Sequence, residues 1–234
     1  MSVAAEPKLR DVSVRVAEVP GKSLKSMCNL YSLRKTREET VGLFKARCLD
    51  DAVQFELPLV YPDTMAPVVR LTESGTREME MMRWGFPPPP KVGSRPVTNV
   101  RNTRSPYWRS WLGAEFRCLV PATAFCEWTD TRPKVPHWFA IGNERPLFAF
   151  AGIWRPWTGE RKGLTGVHSL FAFLTTDSND VVRPIHAKAM PVLLRNEGEF
   201  DTWLTGSMED ALGLQRPSPD PLDIVATGIE RQAG

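Results

Sequence analysis

From Arg117 to Thr175 the chain is written as short, closely spaced apolar runs: Arg117–Val120, Ala124–Trp128, Trp138–Ile141, Leu147–Trp154 and Leu170–Thr175. Runs of that kind, rich in Phe, Trp and Val and broken by turn residues such as Gly142-Asn143, read as strands. Few βαβ crossovers fit between them, which argues against a doubly wound parallel sheet. Upstream, Cys28–Leu33 reads as a strand and Leu57–Pro67 as a proline-punctuated loop. Val68–Leu71 and Met79–Trp84 read as a hairpin around Glu73-Ser74-Gly75. The run Pro87–Pro90 stiffens the chain into an extended arm, and Val97–Arg101 is a further strand or its exit. Helices are expected after Thr36, where Glu39 completes a capping box, and from Ser105-Pro106 to Leu112. Asp177 or Ser178 is read as the cap of a short helix ending near Pro184. The tail reads as a strand at Met190–Leu194, helices at Glu197–Leu204 and Ser207–Leu214, and a closing strand at Leu222–Ala226. The expected class is α+β: a mixed, mostly antiparallel, barrel-like β core with peripheral helices.

At 234 residues the chain suits one domain, and its size allows a core without staples. The four cysteines, Cys28, Cys48, Cys118 and Cys126, form no CxxC pair, and only three histidines accompany them. Neither a metal site nor a disulfide framework is expected, and reduced thiols point to a cytoplasmic setting. The longest apolar run, Phe148–Trp154, is too short to cross a bilayer. A net charge of +3 excludes little, but its distribution is uneven. Residues 95–117 carry five arginines against one glutamate, interleaved with Tyr107, Trp108 and Trp111. That pattern suits either a surface tracking single-stranded nucleic acid or a solvated helix whose tryptophans point inward.

Met27-Cys28 looks like a translation start lying behind an upstream one. Residues 1–26 show no sustained period and no h-region of a secretory signal. They read as a mis-assigned or disordered extension ahead of a domain spanning 27–234. If Met27 is the start and is removed, Cys28 carries an α-amine and a thiol together. Two further residues stand out. Glu127 lies between aromatics in Phe125-Cys126-Glu127-Trp128, where poor hydration suits a proton shuttle. His186 lies between Pro184 and Pro191, which fix the local backbone. Each also has a plain structural reading, as an outward strand residue and a hydrogen-bonding histidine.

MCNLYS at 27–32, MRWGFPPPPK at 82–91, VTNVRN at 97–102, CLVPATAFCEW at 118–128 and IHAKAMPVLL at 185–194 resemble the SOS response-associated peptidase (SRAP) family, in that family's order and spacing. The resemblance covers 27–234 and none of 1–26. It implies an SRAP-like single domain and covalent capture of abasic sites in single-stranded DNA during the DNA damage response. The cysteine would form a thiazolidine with the ring-opened sugar. Catalytic roles then fall on Cys28, Asn99, Glu127 and His186. Arg101 matches a phosphate contact, Trp84 part of an aromatic surface beside the DNA, and Lys188 a phosphate role usually held by arginine. Arg104 joins the DNA-binding set from the basic stretch. Thr103 stands where many members have glutamate. No cofactor or metal, no membrane, a monomer, and a cytoplasmic protein associated with the nucleoid when DNA-bound are the accompanying expectations. A cysteine peptidase or autoprotease using Cys28, Glu127 and His186 is the alternative. A non-catalytic single-strand binder is a third reading.

Overall fold

The computed structural model describes residues 29–88, 94–219 and 221–228. Its elements run β1 (Tyr31–Leu33), α1 (Arg37–Phe44), β2 (Leu57–Val60), β3 (Met65–Leu71), β4 (Arg77–Trp84), β5 (Asn99–Val100), α2 (Pro106–Arg109), β6 (Arg117–Ala122), β7 (Ala124–Trp128), β8 (Pro136–Ala140), β9 (Phe148–Arg161), β10 (Leu164–Thr176), β11 (Met190–Pro191), β12 (Leu193–Leu194), α3 (Glu197–Thr205), α4 (Met208–Gly213) and β13 (Asp223–Thr227). Cys28, the 1–26 extension and Pro89–Pro90 of the proline arm lie outside the described residues.

Five strands close on themselves. β10 pairs β4, β4 pairs β3, β3 pairs β6, β6 pairs β9, and β9 returns to β10. Among the described strand-to-strand pairings only β10–β4 and β10–β5 are parallel. A second sheet, in the order β13-β8-β7-β1-β2, packs on the barrel. Tyr31, Val60, Phe125 and Phe139 from that sheet share one core with Val68, Trp84, Phe150 and Phe173 from the barrel. A separate core joins the barrel to α1, α3 and α4 through Phe44, Phe200, Trp203 and Ala211. The molecule is therefore α+β and mostly antiparallel, with helices at its edge.

Local chemistry explains where the expected elements hold. Thr36 accepts from Glu39 N while the Glu39 side chain accepts from Thr36 N, so α1 starts on a complete capping box. Asn196 and Ser207 cap α3 and α4 through their side chains alone, accepting from Glu199 N and Asp210 N. α2 is shorter than the sequence suggests and ends at Arg109.

Three expectations fail. Leu57–Pro67 is no loop: it holds β2 and the start of β3. Pro67 is tolerated because β3 meets β6 only at Val69 and Arg70. Continued, that register would set Pro67 against Pro121, and neither has an N–H to give. Ser178 caps no α-helix. Residues 180–185 form turns, closed by Arg183 N to Asn179 O at 2.9 Å and His186 N to Val182 O at 2.8 Å. Finally, β9 and β10 run far past Trp154 and Leu170 as one long hairpin. Its outer half carries polar residues on both faces, so it lacks the alternation that marks a half-buried strand. Its signal is the turn: Lys162 and Gly163 both have positive φ, 53° and 76°, as a two-residue primed turn requires.

Candidate functional site

β1 and β7 run antiparallel, with Tyr31 opposite Phe125 and Ser32 opposite Ala124. Cys126 N donates to Leu30 O at 2.9 Å, so the register continues toward the chain start. Counted one step further, Asn29 comes opposite Glu127. Cys28 is the residue bonded to Asn29. Tyr31 anchors this strand: its ring meets Trp84 edge-on at 5.2 Å, Phe150 at 5.5 Å and Phe173 at 6.2 Å. Each such pair adds about 0.5–1.5 kcal/mol beyond burial, so the beginning of β1 is held firmly.

The same aromatic cluster positions Asn99. β5 pairs with β10 so that Asn99 lies beside Phe173, and its Nδ2 donates to Thr98 Oγ1 at 2.8 Å. Trp84 stacks on Phe173 at 5.1 Å, and its Nε1 donates to Thr98 O at 3.2 Å. The reading of Trp84 as surface beside DNA is therefore corrected. It is 0% exposed, because the alternation of β4 turns Met82 and Trp84 inward together. Trp84 holds Thr98, the residue before Asn99, and has no free face on which to stack a base.

His186 comes from the segment after β10. Ser178 Oγ donates to His186 O at 2.6 Å, and Val182 and Ile185 on its turn join the core that holds Tyr31 and Trp84. His186 is 2% exposed, and neither ring nitrogen has a hydrogen-bond partner among the described residues. Burial pushes its pKa below the ordinary value; Asp130 opposes that shift, while Lys188 and Lys134 add to it. Asp130 and Lys134 lie in the β7–β8 loop that follows Glu127, so the charges of that loop act on the His186 turn. Glu127 is itself 0% exposed.

Arg101 leaves β5 and pairs with Asp177 at the end of β10, joining the Asn99 strand to the His186 segment. Gln215 Nε2 donates to Arg101 O at 2.9 Å and Thr175 O at 3.0 Å, and Gln215 Oε1 accepts from Thr103 Oγ1 at 3.2 Å. Thr103 thus makes a structural contact in place of the missing glutamate. Arg104 and Lys188 are exposed. The elements bearing Asn99, Glu127 and His186 converge on one aromatic floor, with Arg101 and Lys188 at the edge. Sequence reasoning passed over Asp130, Lys134 and Thr175. Thr175 is buried, with a hydroxyl that has no partner among the described residues. The only hint was two threonines closing an apolar strand.

The thiols separate clearly. Burial, with Glu127 adjacent, pushes Cys126 up to about 12, and burial holds Cys118 well up. Neither yields a thiolate at neutral pH. Among the described residues no group of three or more His, Cys, Asp or Glu could hold a metal, and no helix is long and apolar enough to cross a membrane.

A neutral buried histidine leaves a signature in stability. Below the ordinary value of 6.5, unfolded His186 binds a proton that the folded chain refuses. Stability therefore falls as pH drops through about 6.5 and is unaffected by this residue above it. His186→Gln should lose less stability than the wild type between about pH 7.5 and pH 5, read as the shift in urea midpoint. An identical shift in both proteins would refute the assignment.

A closed five-stranded barrel with a second sheet, carrying a buried Asn, Glu and His around the start of β1, defines a distinct class of domain. The family model described as SOS response associated peptidase (SRAP) matches residues 27–228, and the chain belongs to that family. Abasic site processing protein YoaM from Bacillus subtilis (strain 168) is 30% identical over 189 residues, 76% of this chain and 79% of that one. Abasic site processing protein YoqW from the same organism is 31% identical over 154 residues, covering 62% of this chain but only 65% of its own length. A crystal structure of a protein from Bacteroides thetaiotaomicron superposes with a TM-score of 0.69 at 22% identity, covering 87% of this chain and 92% of that one. One from Bordetella bronchiseptica gives 0.68 at 24% identity, covering 88% and 100%. At those identities the two structures speak for the fold alone.

Proposed function

We propose that this protein captures abasic sites in single-stranded DNA through a thiazolidine formed by the α-amine and thiol of Cys28. One observation supports this above others. Asn99, Glu127 and His186 are buried on three separate elements around the aromatic floor on which Tyr31, three residues after Cys28, is seated. The relatives' names as abasic site processing proteins agree with it.

The chemistry follows from the groups. An abasic sugar is mostly a closed hemiacetal, and His186 moves the proton that opens it. An α-amine titrates near 8, so about a tenth of it is neutral at pH 7 and able to attack C1′. Glu127 protonates the departing hydroxyl, water leaves, and an iminium forms. The thiolate adds to the iminium carbon and closes a five-membered ring, the amine nitrogen becoming neutral. Ring closure is intramolecular, and such reactions reach effective molarities of about 10⁵–10⁸ M. Asn99 holds the sugar oxygen or the amine. Arg101, Arg104 and Lys188 contact phosphates. Loss of the iminium removes the electron sink for β-elimination, so the strand is protected rather than cut. A monomer, free in the cytoplasm and drawn to the nucleoid by damaged DNA, fits this role.

The scheme makes one demand: Cys28 must be the first residue. A chain beginning at Met27, with the methionine removed, is expected to form a heat-stable adduct with an abasic single-stranded oligonucleotide. The same chain with residues 1–27 still attached should form none, because its Cys28 nitrogen is an amide. Adduct of equal yield from both would sink the proposal. Loss of residues 1–27 that needs Glu127 or His186, seen by intact mass, would instead support self-cleavage by a peptidase.

A further inference from the structure

The outer half of the β9–β10 hairpin has no part in that chemistry, yet its surface is built in an unusual way. Trp157 lies flat across the hairpin, its ring 5.9 Å from His168 and tilted by 31°. Gly159 makes this possible: a Cβ there would come within 2.2 Å of the Trp157 ring. The Arg161 guanidinium stands 5.8 Å from the same ring. Nearer the barrel, Arg155 covers the Trp111 ring at 4.4 Å and Phe86 at 5.5 Å. Trp111 belongs to the basic, aromatic stretch, and the proposed reaction gives this residue no task.

Charge at the base of this platform is unbalanced. Arg83, Arg161 and Lys162 lie 3.9, 3.5 and 3.8 Å from Asp63, the one carboxylate they share among the described residues. Arg83 and Arg161 are mostly buried and donate to Asp63 O at 2.7 Å and Gly85 O at 2.6 Å, while their Nε atoms have no hydrogen-bond partner among the described residues. The three cations thus outnumber the carboxylate beside a flat, partly buried indole, and Lys162 is the exposed one among them. Glu160 alternates to the other side of the strand. Flat rings beside excess cations are how proteins hold single strands without reading sequence: bases stack on the rings and phosphates meet the cations.

We propose that the outer β9–β10 hairpin is a lesion-independent docking platform for single-stranded DNA, with Trp157 as its stacking surface and Lys162 as its phosphate-facing cation, above the positive field of Arg83 and Arg161. The platform rests on the reading of this chain as a DNA-acting protein. It would hold the strand that flanks a lesion, raising the local concentration of the damaged sugar at Cys28.

The test uses the full 234-residue chain and an undamaged, fluorescent oligothymidylate, so that Cys28 chemistry plays no part. Fluorescence anisotropy gives the affinity at several salt concentrations. Trp157→Ala is expected to weaken binding about tenfold, within the range for loss of one stacked base. Trp157→Phe should retain most of the affinity. Gly159→Ala, which removes no side chain but lifts the ring, should also weaken it. Lys162 is largely exposed, so Lys162→Ala tests the cations without a folding penalty. It should reduce the slope of log affinity against log salt by about 0.7. Unchanged affinity in Trp157→Ala together with an unchanged slope in Lys162→Ala overturns the platform, as does tighter binding to oligouridylate or no wild-type binding. Failure here leaves adduct formation by the Met27-start chain intact. Failure of the adduct leaves binding to undamaged DNA intact.

Discussion

Cys28→Ser, in a chain that begins at Met27, is expected to convert a permanent adduct into a transient one. Serine keeps the α-amine, so attack on the opened sugar and loss of water proceed. Its hydroxyl remains protonated at neutral pH and adds to the imine poorly, whereas a thiol near 8.5 supplies thiolate. The iminium then has two exits. Water returns it to the aldehyde, or the 3′ phosphate leaves by β-elimination and the strand breaks. The predicted result is no heat-stable adduct, a covalent complex when borohydride reduces the imine, and an increase in strand cleavage over the wild type. The wild-type adduct should form without borohydride and leave the strand whole. A heat-stable adduct of undiminished yield from Cys28→Ser would remove the thiol from the mechanism. Cys28→Ala should behave as the serine variant does, since both lack only the sulfur. Compensation by Cys118 or Cys126 is not expected, because burial suppresses their thiolates.

What the sequence disclosed about this region, and what it hid, follows from the range of the forces involved. Thr36 and Glu39 announce α1 because a capping box is satisfied within four residues. The short strands around Glu127 announce themselves by apolar runs that end at turns. The convergence of Asn99, Glu127 and His186 rests on pairings between distant strands, such as β5 with β10, and no local pattern carries those. Only the ordered motifs of the family single out these three residues together. Trp84 shows the limit of that help. A tryptophan in a matching motif was read as surface, and only the β4 alternation and the rings of Phe171 and Phe173 show it to be floor. The outer β9–β10 hairpin was missed for the opposite reason. With polar residues on both faces, it is held by ladder hydrogen bonds and a primed turn and only partly by burial of Trp157.

Glu127→Gln is expected to give the complementary defect: an unchanged product formed far more slowly. Glutamine matches the carboxylate in shape, so a fully buried site keeps its packing and the start of β1 keeps its seat on the aromatic floor. What is lost is a proton donor placed beside the first residues of β1. Expulsion of hydroxide from the carbinolamine is slow unless the oxygen is protonated as it leaves. A positioned acid contributes about 10²–10⁴-fold to such steps, and the rate of adduct formation should fall by that factor. Affinity for undamaged single-stranded DNA should not change, because neither the exposed arginines nor the hairpin platform is touched. The adduct that does form should be as heat-stable as the wild type's, since Cys28 still closes the ring. Single-turnover kinetics at saturating abasic DNA separates these effects from binding. A rate within about threefold of the wild type would show that Glu127 is a buried structural carboxylate, and that the proton arrives from His186 or solvent instead.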